Sequence, residues 1–167
     1  MKSWITSDLH FGHKEIISRC KRYYRDTCEM DEGIINNWNS LIGPNDLTYV
    51  LGDVSFGTLR ETVSILKQLN GKKILIEGNN DRDLLVSSEF RDQFENIHTY
   101  LETDDLVLFH YPISDWNNRL KGTIHFHGHL HGKPSGIKGR IKDVSIDGNN
   151  MKPYNMVDLI REMRKDK

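Results

Sequence analysis

Short apolar runs alternate along this chain with longer stretches of helical period. Lys2 to Thr6 reads as a first strand and Lys14 to Arg22 as a helix. Asp31 to Ile42 places Ile34, Ile35, Trp38, Leu41 and Ile42 at helical spacing, and Gly43-Pro44-Asn45-Asp46 ends that helix with turn residues. Leu47 to Leu51 is the next strand. Thr58 to Leu69 sets Leu59, Val63, Leu66 and Leu69 on one helical face before Asn70-Gly71 closes it. The strand Lys73 to Glu77 and a helix over Leu84 to Phe94 follow. Ile97 to Leu101, Leu106 to Phe109, Thr123 to His127 and Lys142 to Ile146 read as further strands. Asn155 then caps a last helix that runs through Met163. The alternation predicts an α+β, or layered α/β, fold. The four prolines and thirteen glycines are spread among the turns, with no linker and no repeat, so residues 1–167 are expected to form a single domain.

Composition narrows the setting. A chain of 167 residues suffices to bury roughly two thirds of its unfolded surface. Its 23 basic and 24 acidic residues leave a formal net charge of -1, so no global field announces nucleic acid or an anionic membrane. No apolar run approaches the ~20 residues of a membrane helix, and a candidate ligand already stands at Asp8, where removal of a leader would destroy it. Cys20 and Cys28 are too few for a disulfide framework and form no CxxC pair. A cytoplasmic protein with plain thiols is expected.

The chemistry lies at the strand ends. Asp8-Leu9-His10, Gly52-Asp53, Gly78-Asn79, His110 and Gly128-His129-Leu130-His131 each follow an apolar run, and loops at strand ends are where α/β proteins build sites. Carboxylate, imidazole and amide oxygen together suit divalent manganese, iron, zinc, cobalt or nickel, with manganese the expected ion. Asp8 and His10 are two residues apart, so an extended strand end would point both to one side and let them grip one ion. His129 and His131 repeat the spacing. A lone Asp-x-His or Gly-Asp is common, but five such blocks in one small chain point to phosphate ester chemistry.

In this order the blocks resemble those of the calcineurin-like metallophosphoesterase superfamily: Asp-x-His, Gly-Asp, Gly-Asn-His-Asp/Glu, His and Gly-His-x-His. The match runs from residue 8 to 131. The string Thr6-Ser7-Asp8-Leu9-His10-Phe11-Gly12-His13, with Met30-Asp31-Glu32 and Asn37-Trp38-Asn39 downstream, looks like the small members found in bacteria and phages. The resemblance implies a two-sheet β-sandwich flanked by helices, with a dinuclear site at one end. Carried over by motif, Asp8, His10 and His131 would hold one ion, Asn79, His110 and His129 the other, and Asp53 would bridge them. Two divalent ions, less the charges of Asp8, Asp53 and a bridging hydroxide, leave about one positive charge, which matches a phosphodiester. A water shared by such ions becomes a nucleophile at neutral pH.

One position departs from the pattern. Asn80 stands in Gly78-Asn79-Asn80-Asp81 where the family has histidine, whose expected task is to stabilise the transition state or protonate the leaving oxygen, with the following acid orienting it. Asparagine donates a hydrogen bond but delivers no proton at neutral pH. The chain then acts on esters with good leaving groups, takes a proton from His13 or His127, or is silenced at this position. His13 reads equally as a helix-start residue or a substrate contact, and Asp81 and Asn80 join it as catalytic candidates. Arg82 could clamp a phosphate. His125 and His127 read as structural or as partners of the ligands. Lys133, Lys138, Arg140 and Lys142 form a basic hairpin, and Trp116 to Arg119 offer a rim able to stack a base. The expected function is a phosphodiesterase acting on small, nucleotide-like esters. A phosphomonoesterase, or a metal-dependent nucleotide-binding module without turnover, are its alternatives.

Overall fold

The computed structural model describes residues 1–165 and contains two sheets flanked by helices. In the first sheet four strands run parallel: β1 (Ser3–Thr6), β2 (Leu47–Val50), β3 (Lys72–Ile76) and β4 (Asn96–His98). Register is set by pairs such as Ser3 with Leu47 and Leu47 with Lys72. The second sheet holds β5 (Tyr100–Glu102), β6 (Leu106–Phe109), β7 (Ile124–His127) and β8 (Ile141–Asp143), the last three parallel and β5 antiparallel to β6. A short strand β9 (Tyr154–Asn155) pairs antiparallel with β1. The layered arrangement and two-sheet sandwich agree with the sequence-based expectation.

Adjacent residues of the parallel strands feed opposite cores, which is why those strands read as continuous apolar runs. Trp4, Val50 and Leu75 pack toward Met30, Ile34, Trp38, Leu66 and Phe90. Their neighbours Ile5, Leu51 and Ile76 face Leu108, Ile124 and Phe126 of the other sheet, with Met156 and Leu159. The first group includes helices α1 (Lys14–Arg19), α2 (Thr27–Leu41) and α3 (Leu59–Gln68); Met156 and Leu159 belong to the C-terminal helix Met156–Lys165.

Several boundaries differ from the periodicity. Asp26 accepts from the Glu29 amide at 2.9 Å and starts α2 at Thr27, four residues before the predicted start at Asp31. The predicted Leu84–Phe94 helix is two short helices, α4 (Arg82–Leu85) and α5 (Ser88–Arg91), separated at extended Ser87; Arg91 Nη1 donates to the Leu85 and Val86 carbonyls freed there. The predicted Ile97–Leu101 strand divides at Thr99, where the chain leaves the first sheet for the second. Asn155 does cap the last helix, now α6, through the Val157 and Asp158 amides. The sheets are joined at Ser7, whose amide donates to Val144 and whose carbonyl accepts from Ile146. Among the described residues no helix is long and apolar enough to cross a membrane.

Candidate metal centre

All seven predicted ligands lie just beyond the carboxyl ends of parallel strands, Asp8 and His10 after β1, Asp53 after β2, Asn79 after β3, His110 after β6, and His129 and His131 after β7. Parallel pairing puts those ends on one edge. The ligand atoms of Asp8, His10 and His131 lie within 4.8 Å of one another, as do those of Asp53, His110 and His129. Asp53 faces both groups, with Oδ2 3.6 Å from His10 Nε2 and Oδ1 3.6 Å from His110 Nε2.

The backbone is bent to achieve this. Asp8 (φ 56°), His10 (54°), Asp53 (56°), His129 (70°) and His131 (53°) all adopt the left-handed region, which costs a non-glycine residue on the order of 1–3 kcal/mol. Asp8-x-His10 is therefore not the extended strand end that spacing suggested. Its two side chains converge through paired left-handed turns, and His129-x-His131 repeats the device. The glycines before the ligands permit close approach: a Cβ on Gly78 would collide with the Asp53 amide and carboxylate, and one on Gly128 with Ser7 Oγ and Asp8 Oδ2.

Two buried carboxylates hold the ligand loops. Asp81 accepts from the amides of Gly78 (2.8 Å), Asp53 (2.9 Å) and Val54 (2.9 Å). Asp143 accepts from the amides of Leu130 (3.1 Å), Gly132 (3.0 Å) and Ser145 (2.9 Å), fixing the His129–His131 turn. Asp81 therefore positions the Asp53 loop. Among the described residues it makes no hydrogen bond to the side chain of residue 80, the role expected for an acid at this place in the motif.

Histidine hydrogen bonding leaves one ring nitrogen free at each gap. His110 Nδ1 donates to the Leu51 carbonyl at 2.7 Å, which aims its Nε2 at Asn79 Oδ1, 3.0 Å away. Both atoms are of the kind that ligates a divalent cation. His10 Nδ1 meets His13 Nδ1 at 2.9 Å, while His10 Nε2 and Asp8 Oδ1 are buried with no partner among the described residues. Asp8 Oδ2 already accepts from Ser7 Oγ and the His129 amide. His131 Nδ1 meets Asp147 Oδ2 at 2.8 Å and turns Nε2 toward Asp8 Oδ1, 3.7 Å away. These orphaned atoms and this donor set fit two divalent ions. Charge tells the same story: burial pushes the Asp8 carboxyl up, yet the neighbouring rings of His10 (3.7 Å away), His131 and His110 hold it down at about 2. Burial lowers His131, but Asp147 and Asp8 raise it to about 10.

Several residues had escaped sequence reasoning. Arg22 is buried and donates to both oxygens of Asp147 at 2.8 Å and to the carbonyls of Asp8 (2.7 Å) and Leu9 (2.8 Å). It was expected inside a helix, but α1 ends at Arg19 and a left-handed Lys21 turns Arg22 inward. At the mouth, half-exposed Phe56 stacks on His13 and His10, and Tyr111 sets its edge against His110 and His129. The rim expected at Trp116 is absent: that side chain is buried, donates to the Thr123 carbonyl and packs on His125. His127 is buried and bonded to the Gly128 carbonyl, and His13 is engaged with His10. Asn80 donates to both Asp53 oxygens, from its amide nitrogen at 3.0 Å and from Nδ2 at 2.6 Å. Arg82 is exposed beside it.

Fold and ligand groups together define a metal-dependent phosphoester hydrolase. The chain belongs to the calcineurin-like phosphoesterase family, which it matches over residues 1–165. It is 29% identical to an uncharacterized protein of Methanocaldococcus jannaschii over 99% of this chain and 93% of that protein. It is 30% identical to the gene 66 protein of Mycobacterium phage L5 over 77% of each. The crystal structure of a protein of unknown function from Aquifex aeolicus superposes with a TM-score of 0.72 at 25% identity, covering 98% of both chains.

Proposed function

We propose that this protein is a phosphodiesterase for small, nucleotide-like esters, working in the cytoplasm with two divalent ions, manganese foremost. The observation that carries the reading is Asp53, whose two oxygens face two separate groups of nitrogen and oxygen donors at 3.6 Å. In this reading Asp8, His10 and His131 would hold one ion and Asn79, His110 and His129 the other, with Asp53 shared between them. Two divalent ions held by these residues would supply an acidified water and positive charge for the phosphoryl oxygens. The chain's own residues do the rest. Arg22, through Asp147, orients His131, and His13 fixes the His10 ring so that Nε2 faces inward. Asp81 holds Asp53, and Asn80 offers a hydrogen bond beside it. Phe56 and Tyr111 leave part of each ring exposed at the mouth, which suits a diester flanked by planar groups. The free thiols Cys20 and Cys28 fit a reducing compartment.

The test is hydrolysis of bis(nitrophenyl) phosphate beside nitrophenyl phosphate by manganese-loaded protein. A higher kcat/KM on the diester is the expected result; a preference for the monoester overturns the diesterase assignment. The second reading, nucleotide binding without turnover, draws on Asn80, whose Nδ2 is bound to Asp53 where a proton donor is expected. Tight binding with no product from either ester would favour it.

A further inference from the structure

Beside the Asn79-Asn80 turn opens a cleft of about 370 Å³, lined by Ser55, Phe56, Asn80, Arg82, Asp83 and Leu84. Resting on the phosphodiesterase reading, we propose that this cleft receives the leaving group, and that the leaving group is a phosphate. The natural substrate would then be a phosphoanhydride, two phosphates joined by a bridging oxygen with an organic group on each side.

The first support is the chemistry of Asn80. It lines the cleft and donates from Nδ2 to Asp53 at 2.6 Å, so the side chain the cleft offers beside Asp53 is an amide that has no proton to give. The other imidazoles that could serve are directed elsewhere. His13 Nδ1 is engaged with His10 at 2.9 Å and its ring lies on Phe56, while His127 is buried with Nδ1 on the Gly128 carbonyl. Neither lines the cleft. An alkoxide expelled there would leave unprotonated, which is slow. A phosphomonoester dianion is already stable near neutral pH, because its second ionisation lies at about 6.

The second support is charge. A phosphoanhydride brings one more negative charge than a diester, beyond the roughly single positive charge that two divalent ions leave after Asp8, Asp53 and hydroxide are counted. The added charge needs its own cation on the leaving side. Arg82 lines that cleft, exposed, beside Asp83, and is the cleft's one cationic side chain; it makes no ion pair among the described residues. Its forked donors suit a terminal phosphate. Phe56 gives the same cleft an aromatic wall for the organic group the phosphate carries.

The step balances simply. The oxygen of water forms a new bond to the attacked phosphorus, and the bond from that phosphorus to the bridging oxygen breaks. The bridging oxygen leaves with the electron pair as part of the second phosphate, and the protons of water pass to solvent. Two phosphomonoesters result, with no redox change and no further reactant.

The experiment compares a dinucleoside pyrophosphate, a methyl ester of a nucleotide and bis(nitrophenyl) phosphate on manganese-loaded protein, with Asn80→His and Arg82→Gln beside the parent. The expected result is a parent kcat/KM on the pyrophosphate at least about a hundredfold above that on the methyl ester, and a ratio that Asn80→His narrows by a similar factor. Arg82→Gln should lower the pyrophosphate to bis(nitrophenyl) ratio about tenfold or more. Calorimetry supplies a readout without turnover. Adenosine α,β-methylene diphosphate should bind the parent more tightly than adenosine monophosphate, and Arg82→Gln should remove that advantage. Cleavage of bis(nitrophenyl) phosphate with none of the pyrophosphate overturns the inference and leaves the diesterase standing. Absence of hydrolysis on every ester by protein shown to carry its ions overturns the diesterase reading and the inference with it.

Discussion

Arg22 and Asp147 are joined by two hydrogen bonds of 2.8 Å, across 125 positions of sequence, and the Asp147 oxygen that meets Arg22 Nη2 also meets His131 Nδ1 at 2.8 Å. One carboxylate thus links a buried cation to a metal-ligand candidate. Carboxylates in this position fix the ring tautomer and raise the basicity of the other nitrogen, and their loss commonly costs 10–100-fold in metal affinity. Asp147→Ala is therefore expected to weaken the tighter phase of a manganese titration by about that factor, read by calorimetry on metal-stripped protein. Unchanged affinity would show that Asp147 serves only Arg22.

Arg22 itself is a stability residue. Its removal strands a buried carboxylate and the carbonyls of Asp8 and Leu9, so Arg22→Met should cost about 3–5 kcal/mol in denaturant unfolding. A loss below 1 kcal/mol would mean that water enters and replaces the guanidinium.

Asp81 tests how firmly the Asp53 loop must be held. Asp81→Asn keeps the shape but exchanges one acceptor oxygen for a donor that meets an amide hydrogen, a change expected to cost on the order of 1–3 kcal/mol. Metal binding should weaken in the same variant, because Asp53 loses its anchor. If stability falls while affinity stays, the loop keeps its shape without Asp81.

Chelation should lower the melting temperature. Asp8 Oδ1 and His10 Nε2 are buried without partners, and an ion that satisfies them binds the folded chain far better than the unfolded one. Differential scanning calorimetry with and without a chelator measures the shift. An identical melting temperature in both would sink the metal assignment.

His125 predicts a pH dependence unconnected with the metal. The neutral ring donates from Nδ1 to the Val107 carbonyl and accepts the Ile113 amide on Nε2; burial outweighs the pull of the Val107 and Tyr111 carbonyls on the charged form and pushes the ring down to about 4, against 6.5 when unfolded. The unfolded chain therefore takes up this proton more readily. Stability from the neutral ring is complete above pH 6.5 and is lost as pH falls toward 4, by about 3 kcal/mol. Urea unfolding at pH 7 and pH 4 should show that slope, and His125→Gln should flatten it.

Strands β1 and β3, and the run that β2 begins, were readable because apolar residues alternate there between two cores, as the division of Ile5 from Trp4 shows. The ligand blocks were readable because each follows such a strand. Boundaries set by side-chain chemistry were harder: Asp26 moved the start of α2, and Ser87 broke a helix that periodicity carried to Phe94. The residues around the ligands were least legible. Arg22 looks like one more helical cation until a left-handed Lys21 reverses the chain, and Asp147 has no local partner at all. Trp116 misled for the opposite reason, since an aromatic among polar residues reads as exposed, whereas its indole is covered and bonded to Thr123.

The seam at Ser7 assigns the candidate ligands unequally to the two sheets. Asp8, His10, Asp53 and Asn79 extend from the first sheet, and His110, His129 and His131 from the second. Each three-residue group therefore draws on both halves, Asp8 and His10 meeting His131, and Asp53 meeting His110 and His129. A pair of ions gripped there would act as rivets through the open edge of the sandwich. Loading the centre would fasten one half of the molecule to the other, adding to the Ser7 backbone bonds, the His110–Leu51 and His129–Asp8 hydrogen bonds and the apolar layer beneath them.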